Sequence, residues 1–364
     1  MAAPTPIRPV TTYEQAPLIT IWELTRACDL TCTHCRADAV SHRDPLELDT
    51  DEGKRLLEDI RAMGGTVVVF TGGDPLKRPD VFELVSYGSA LGLQMTMTPS
   101  ATPLLTEAAV LRLKASGLKR LALSLDGPTA AIHDSRRGWS GSFERTLAIA
   151  RYAADIGLSL QINSALDRRN AGELRALGAL VSTLNVALWS VFYCVPTGRS
   201  RREEELTAGE IEKSCRELVQ VAAEFHIPSK TTAAPQFRRL FTQMASRRDQ
   251  SPNTEFVRRL STFGVNDGKG FIFISHHGEI FPSGFLPVHC GNVRSQNLAE
   301  VYRHHPLLVS LRDSSRLEGK CGICEYREIC GGSRARAFAH TGNPLAEDPG
   351  CPYQPPSGAR AIAV

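Results

Sequence analysis

Residues 23–39 read ELTRACDLTCTHCRADA, and the spacing of their cysteines decides the rest. Cys28, Cys32 and Cys35 stand at intervals of x3 and x2, directly after a short apolar run at 18–23. Three thiolates on one short loop bind three irons of a cubane cluster and leave the fourth iron open. The bland alternatives are a zinc loop or scattered core cysteines. A zinc knuckle usually brings its ligands as two close pairs and closes with four, so the x3-then-x2 spacing favours the open cluster.

Outward from this loop the chain alternates strand-like and helix-like segments. Strands are predicted at 18–23, 67–71, 93–98, 120–125, 158–165 and 187–195. The 67–71 run, VVVFT, is β-branched and continuous, as expected of a strand buried on both faces. Helices are predicted at 50–63 (capped at Asp49 or Thr50), from Pro79 to about residue 90, and at 106–116, 142–156, 171–183 and 207–225. Regular alternation implies parallel strands joined by right-handed crossovers. Six units fit before residue 230, so the fold class is α/β, a partial (β/α)6 barrel, with chemistry at the C-terminal strand ends. Residues 246–270 break the pattern as a linker or mobile loop. A hairpin follows at 271–282, turning at HHG, then a helix near 298–311 and a loop-rich, cysteine-bearing C-terminus.

The chain has 364 residues, 42 basic and 39 acidic, for a net charge of +3. That balance gives no support to nucleic-acid or anionic-membrane binding. No apolar run reaches the roughly 18 to 20 residues that span a bilayer, and the first 17 residues lack the apolar core of a signal peptide. A cytoplasmic location is expected, where ten cysteines stay reduced. Seven of them fall into two spaced groups, which points to metal.

CxxxCxxC after a first strand, with His34 before the third cysteine, resembles the radical S-adenosylmethionine (SAM) superfamily. Thr71-Gly72-Gly73-Asp74-Pro75 is similar to that family's GGEP turn, with Asp for Glu, where glycines let backbone approach a ligand. Ser124-Leu125-Asp126-Gly127-Pro128, His133-Asp134, Arg137-Gly138, Asn163 and Pro196-Thr197-Gly198-Arg199 also resemble family sequences. The resemblance implies a 4Fe–4S cluster on Cys28, Cys32 and Cys35 whose open iron chelates methionine's amino and carboxyl groups. It further implies that Gly72, Gly73, Asp74, Ser124, Asp126 and Asn163 bind the cofactor.

The second group is Cys321-x2-Cys324-x5-Cys330-x20-Cys351. Four ligands complete one metal site, and spacing alone allows zinc or a second iron–sulfur cluster. The segment resembles the C-terminal SPASM/twitch extension of many radical SAM enzymes, including the CGG after the third cysteine. By that resemblance the four hold an auxiliary 4Fe–4S cluster. A full SPASM domain holds two and needs further cysteines. Ser333 and the Pro282-Ser283-Gly284 turn lack them, so one auxiliary cluster is expected; Cys290 is a ligand, a substrate contact or a plain buried thiol, and Cys194 and Cys215 are core residues.

The expected layout is a lead-in at 1–17, the barrel at 18–245, the linker at 246–270 and the auxiliary-cluster domain at 271–364. The chain looks closest to the heme-related branch of SPASM enzymes, which cut or remove tetrapyrrole propionate or acetate arms. Carboxylates call for cations, with Arg199, Arg201, Arg202, Arg238 and Arg239 as candidates. The alternative for Arg201 and Arg202 is a solvated face. His276, His277 and His289 are candidate contacts to a tetrapyrrole iron, or simply solvated turn residues. An electron donor such as flavodoxin or ferredoxin is implied. A maturase acting on a ribosomally made peptide is the runner-up, and a non-catalytic iron–sulfur scaffold the reading from another class. A scaffold needs no SAM pocket, so the GGDP and SLDGP motifs count against it.

Overall fold

The computed structural model describes residues 13–245 and 264–356. Seven strands, β1 (Ile19–Glu23), β2 (Val67–Thr71), β3 (Gln94–Met97), β4 (Arg120–Ser124), β5 (Ser159–Leu166), β6 (Leu188–Tyr193) and β7 (Ser229–Thr232), pair in chain order and in parallel. On the other edge, β8 (Phe271–Ile274) runs parallel to β1, with Ile21 opposite Phe273. β9 (Glu279–Phe281) and β10 (Gly291–Asn292) then continue antiparallel. The order is β10-β9-β8-β1-β2-β3-β4-β5-β6-β7. Its two ends do not pair, so the barrel stays open.

Helices α1 (Thr50–Ala62), α2 (Val81–Ala90), α3 (Glu107–Ala115), α4 (Ala130–Arg137), α5 (Ser142–Asp155), α6 (Leu174–Ser182) and α7 (Ala208–Glu224) connect the parallel strands. α8 (Gln236–Ala245) follows β7, and α9 (Leu298–His304), α10 (Pro306–Arg312), α11 (Gly319–Ile323) and α12 (Arg334–Thr341) complete the C-terminal part. Asp49 caps α1 in a capping box with Glu52, and Thr207 caps α7 with Glu210. Each box satisfies backbone donors that a helix start leaves orphaned.

The structure adds elements that patterning did not reveal. β7 is SKTT, too short and polar to alternate visibly, and α4 lies inside residues read only as a motif. α2 starts at Val81 and not at Pro79, because Asp80 precedes it and its carboxylate is held by Arg78 at 2.9 and 2.5 Å. The helix expected at 298–311 is two helices. Pro306 cannot continue a helix and starts a new one instead. Of the expected linker, 246–263 lies outside the described residues, and 264–270 makes a turn closed by Asn266 and Lys269.

Which strand face packs outward follows from the helical glycines. A Cβ on Gly53 of α1 would meet the Trp22 ring at 2.5 Å, and one on Gly88 of α2 the Met95 sulfur at 2.4 Å. One on Gly178 of α6 would meet Trp189 at 3.3 Å. Trp22, Met95 and Trp189 are fully buried in the main core, with Val68, Phe70, Leu121, Leu123 and Ile162. The opposite parity faces the barrel interior. There Ile21, Val69, Thr96, Ser124, Gln161 and Asn163 are only half-buried. A closed barrel packs its interior with side chains, whereas this open one leaves part of its inner face half-exposed while Ala122, Leu188 and Ser190 of the same face are buried.

Candidate functional site

The loop after β1 folds back on itself: Cys28 N donates to Val40 O at 2.7 Å and Val40 N to Arg26 O at 3.0 Å. This brings Cys28, Cys32 and Cys35 into one small cluster with Leu30 and Trp139. Every thiol has donors aimed at it. Leu30 N lies 3.4 Å from Cys28 Sγ, which also meets Ser100 Oγ at 3.4 Å. Arg137 Nη1 lies 3.7 Å from Cys32 Sγ, and Ala39 N 3.4 Å from Cys35 Sγ. Donors around sulfur are what an anionic iron–sulfur cluster requires, so this donor set fits one. Burial pushes the Cys28 thiol up to about 11, and it raises Cys32 against the pull of Arg137. Metal binding supplies the positive charge that makes such buried thiolates tolerable.

The GGDP turn sits against this loop. Gly73 N donates to Thr25 O at 2.8 Å and Asp74 N to Ala27 O at 2.7 Å. A Cβ on Gly72 would lie 2.3 Å from Thr25 O, and one on Gly73 2.4 Å from Ala27 O. These glycines therefore permit contact with the cysteine loop itself, where the sequence suggested contact with a ligand. Asp74 is fully buried and caps the short turn Pro75–Lys77. It also accepts from Thr102 Oγ1 at 2.8 Å and Ser100 N at 3.3 Å, carrying Ser100 to Cys28. Gly198, at φ +62°, does the same from the PTGR turn. A Cβ there would fall 2.3 Å from Cys35 O, and Arg199 N donates to that oxygen at 2.9 Å.

Asp126 is fully enclosed. It accepts from Ala165 N at 2.7 Å and pairs with Arg137 at 2.7 Å and His34 at 3.3 Å. Burial pushes its carboxyl up, but Arg137 and then His34 hold it well below the usual range. Its carboxylate thus ties α4 to the cysteine loop and faces no open space. Ser124 and Asn163 are register partners on β4 and β5, both inward and half-buried at the lumen mouth. Asn163 Oδ1 accepts from Gln161 Nε2 at 2.7 Å.

The second cysteine group also converges. Cys321, Cys324, Cys330 and Cys351 line one pocket with Arg239, Arg327, Lys320 and Tyr353. Gly331 and Gly332 are consecutive left-handed residues, and a Cβ on Gly332 would stand 3.0 Å from Cys321 Sγ. Asp348 N and Arg334 Nη2 point at that sulfur from 3.4 and 3.6 Å. The two serines at absent cysteine positions have protein partners. Ser333 caps α12, and Ser283 Oγ accepts from Phe285 N at 3.2 Å. Cys290 and Cys215 are buried in the main core.

The arginines proposed for substrate part company. Arg199 stays by Cys35, whereas Arg239 is buried, paired with Glu212 at 2.5 Å and stacked on Tyr353. That expectation is corrected for Arg239: its charge is already neutralised. His276 is buried, with Nδ1 2.8 Å from Glu23, which pairs with Arg36 at 2.5 Å. The solvated-turn alternative therefore fails for it. His277 lies 3.1 Å from Asp44, and His289 stands edge-on to Phe281. Sequence reasoning missed Ser100 and Glu23. Being a charged residue at the end of an apolar strand was the one signal Glu23 carried.

Three thiols gathered where parallel strands of an open barrel end define an enzyme of the radical SAM class, and the chain belongs to the radical SAM superfamily, whose model matches residues 22–177. Members hold a 4Fe–4S cluster and SAM. The chain is 39% identical over 342 residues to the AdoMet-dependent heme synthase of Methanosarcina barkeri, covering 93% of this chain and 97% of that one. It is 37% identical over 359 residues to the enzyme of that name from Nitratidesulfovibrio vulgaris, covering 97% and 98%. Among solved structures it resembles Streptococcus suis SuiB bound to S-adenosylmethionine. The TM-score is 0.71 at 18% identity, over 94% of this chain and 77% of SuiB. Among the described residues no helix is long and apolar enough to cross a membrane.

Proposed function

We propose that the chain oxidatively decarboxylates propionate-type arms of an iron-bearing tetrapyrrole. The observation that carries this reading is near-full-length similarity, 39% and 37%, to two AdoMet-dependent heme synthases. Cys28, Cys32 and Cys35 are the residues to hold the SAM cluster, and Cys321, Cys324, Cys330 and Cys351 those to hold a single auxiliary cluster. The partnered hydroxyls of Ser283 and Ser333 support one auxiliary cluster and not two. When bound, cluster and SAM supply a 5′-deoxyadenosyl radical, an abstractor of unactivated hydrogen.

The chain's own part is placement. Ser100, Arg137 and the loop amides orient the thiols, and the GGDP and PTGR turns hold the loop at the lumen mouth. Ser124 and Asn163 face that mouth and would orient the bound nucleoside. Abstraction of one hydrogen from the arm, followed by loss of carbon dioxide, leaves a vinyl group and one electron. The second cysteine group is where this chain would hold an acceptor for that electron. This reading also takes the cytosol as its compartment and a flavodoxin or ferredoxin as its reductant.

The test incubates the anaerobically reconstituted enzyme with SAM, dithionite and iron coproporphyrin III. Each converted arm should lose carbon dioxide and two hydrogens, with one 5′-deoxyadenosine formed per arm. If no tetrapyrrole is converted while a peptide gains a crosslink, the substrate assignment is wrong and the peptide-maturase alternative takes its place.

A further inference from the structure

Arg120 and Lys230 both face the barrel lumen. On β4, Leu121 and Leu123 belong to the outer core, which turns Arg120 inward with Ser124. On β7, Ser229 is opposite Trp189, which packs outward against α6, so Lys230 and its partner Ser190 turn inward. Arg238, on the first turn of α8, comes from the side. Its guanidinium donates to Val265 O at 2.7 Å and Ile329 O at 3.0 Å.

No carboxylate among the described residues neutralises these three. Among the described residues Arg120 donates to Ser159 Oγ, at 3.2 Å, and Arg238 to the two carbonyls, with Cys330 the leading group of opposite sign acting on Arg238. Lys230 has no hydrogen-bond or ion-pair partner among the described residues; the charges acting on it are those of Arg238 and Arg120. Beside it, the fully buried Ser190 hydroxyl also lacks a partner. Cations set into a protein wall are normally paired, because leaving them unpaired is unfavourable. Lys230, with the orphaned Ser190 hydroxyl beside it and the charges of Arg238 and Arg120 acting on it, describes a receptor for an anion.

We propose that Arg120, Lys230, Arg238 and Ser190 form a recess that anchors a carboxylate arm of the substrate, one that does not react. This rests on the tetrapyrrole reading above. A reacting carboxylate leaves as carbon dioxide and needs no permanent anchor, whereas the remaining arms keep their charge through turnover. Ser124 ends β4 at the lumen mouth and Arg120 begins it. At about 3.3 Å per residue the two are roughly 13 Å apart, whereas Ser190 and Lys230 share the register row of Asn163, so the recess runs inward from that row to Arg120.

The experiment uses the reconstituted full chain, with iron coproporphyrin III and its tetramethyl ester as probes. Binding is followed by the Soret band, and turnover as KM against kcat. Lys230→Met and Arg120→Gln should each weaken binding of the free acid at least tenfold, mainly through KM. Lys230→Arg should restore most of the loss. The ester should bind weakly to wild type and no worse to the variants. Because Lys230 is an unpaired cation in the fold, Lys230→Met should also raise the melting temperature of the substrate-free enzyme. A fall there would identify a structural role and overturn the proposal. Wild-type affinity in both variants, or an equal loss of affinity for SAM, would also overturn it while leaving the tetrapyrrole reading intact. If the wild type binds no iron coproporphyrin, that underlying reading fails, and the recess with it.

Discussion

At the scale of single residues, Asp126 joins three elements: it pairs with Arg137 from α4 and His34 from the cysteine loop, and accepts from Ala165 on β5. Removing one charge of a buried pair leaves the other uncompensated, at about 3 to 5 kcal/mol. Asp126→Asn should lower thermal stability by that order in calorimetry, with Arg137 left beside Cys32; an unchanged melting curve would refute the pairing. Lys230 gives a second prediction. Burial first, then Arg238 and Arg120, push its ammonium down to about 8. Below that pH it is charged and attracts a carboxylate, and above it binding must recruit a proton. Affinity for iron coproporphyrin should therefore hold below about pH 8 and fall as pH rises beyond it, whereas Lys230→Arg should hold affinity to higher pH. Titration of Kd against pH checks this. The cysteines were legible in the sequence because their chemistry needs fixed spacing. Lys230 was not, because in SKTT only the register with Trp189 reveals which way it points.

At the scale of elements, the turns that support the cysteine loop are held by absent side chains. Gly72, Gly73 and Gly198 each bring a turn against a carbonyl of that loop, and Gly198 is also left-handed. Gly198→Ala meets both the close contact and the backbone strain that a side chain suffers at positive φ. It should reduce iron in the first cluster while leaving the second intact, read by iron content and electron paramagnetic resonance. By contrast, Asp49→Ala removes one helix cap whose partner is Glu52 and not a thiol. It should cost about 1 kcal/mol of stability with iron unchanged. The parallel strands were readable from apolar runs such as VVVFT, and their helices from cap signals. β8 was readable as half of a hairpin, but its pairing with β1 was not. That contact joins residues about 250 positions apart, and nothing local encodes it.

At the scale of the molecule, the chain gathers two thiol sites, the first on the loop after β1 and the second on the C-terminal part beside Arg239 of α8. Two four-iron clusters give about eight irons per chain, and replacing Cys321 and Cys324 should halve that. About twelve irons would require a second auxiliary cluster, and about four irons with one zinc would make the C-terminal site structural. The central claim is that Cys28, Cys32 and Cys35 make this chain a SAM-cleaving enzyme. The direct measurement is 5′-deoxyadenosine released by anaerobically reconstituted protein given dithionite and SAM. Wild type should release it, and the Cys28→Ala, Cys32→Ala, Cys35→Ala variant should release none while keeping the absorbance of its auxiliary cluster. Undiminished release from that triple variant would contradict the account.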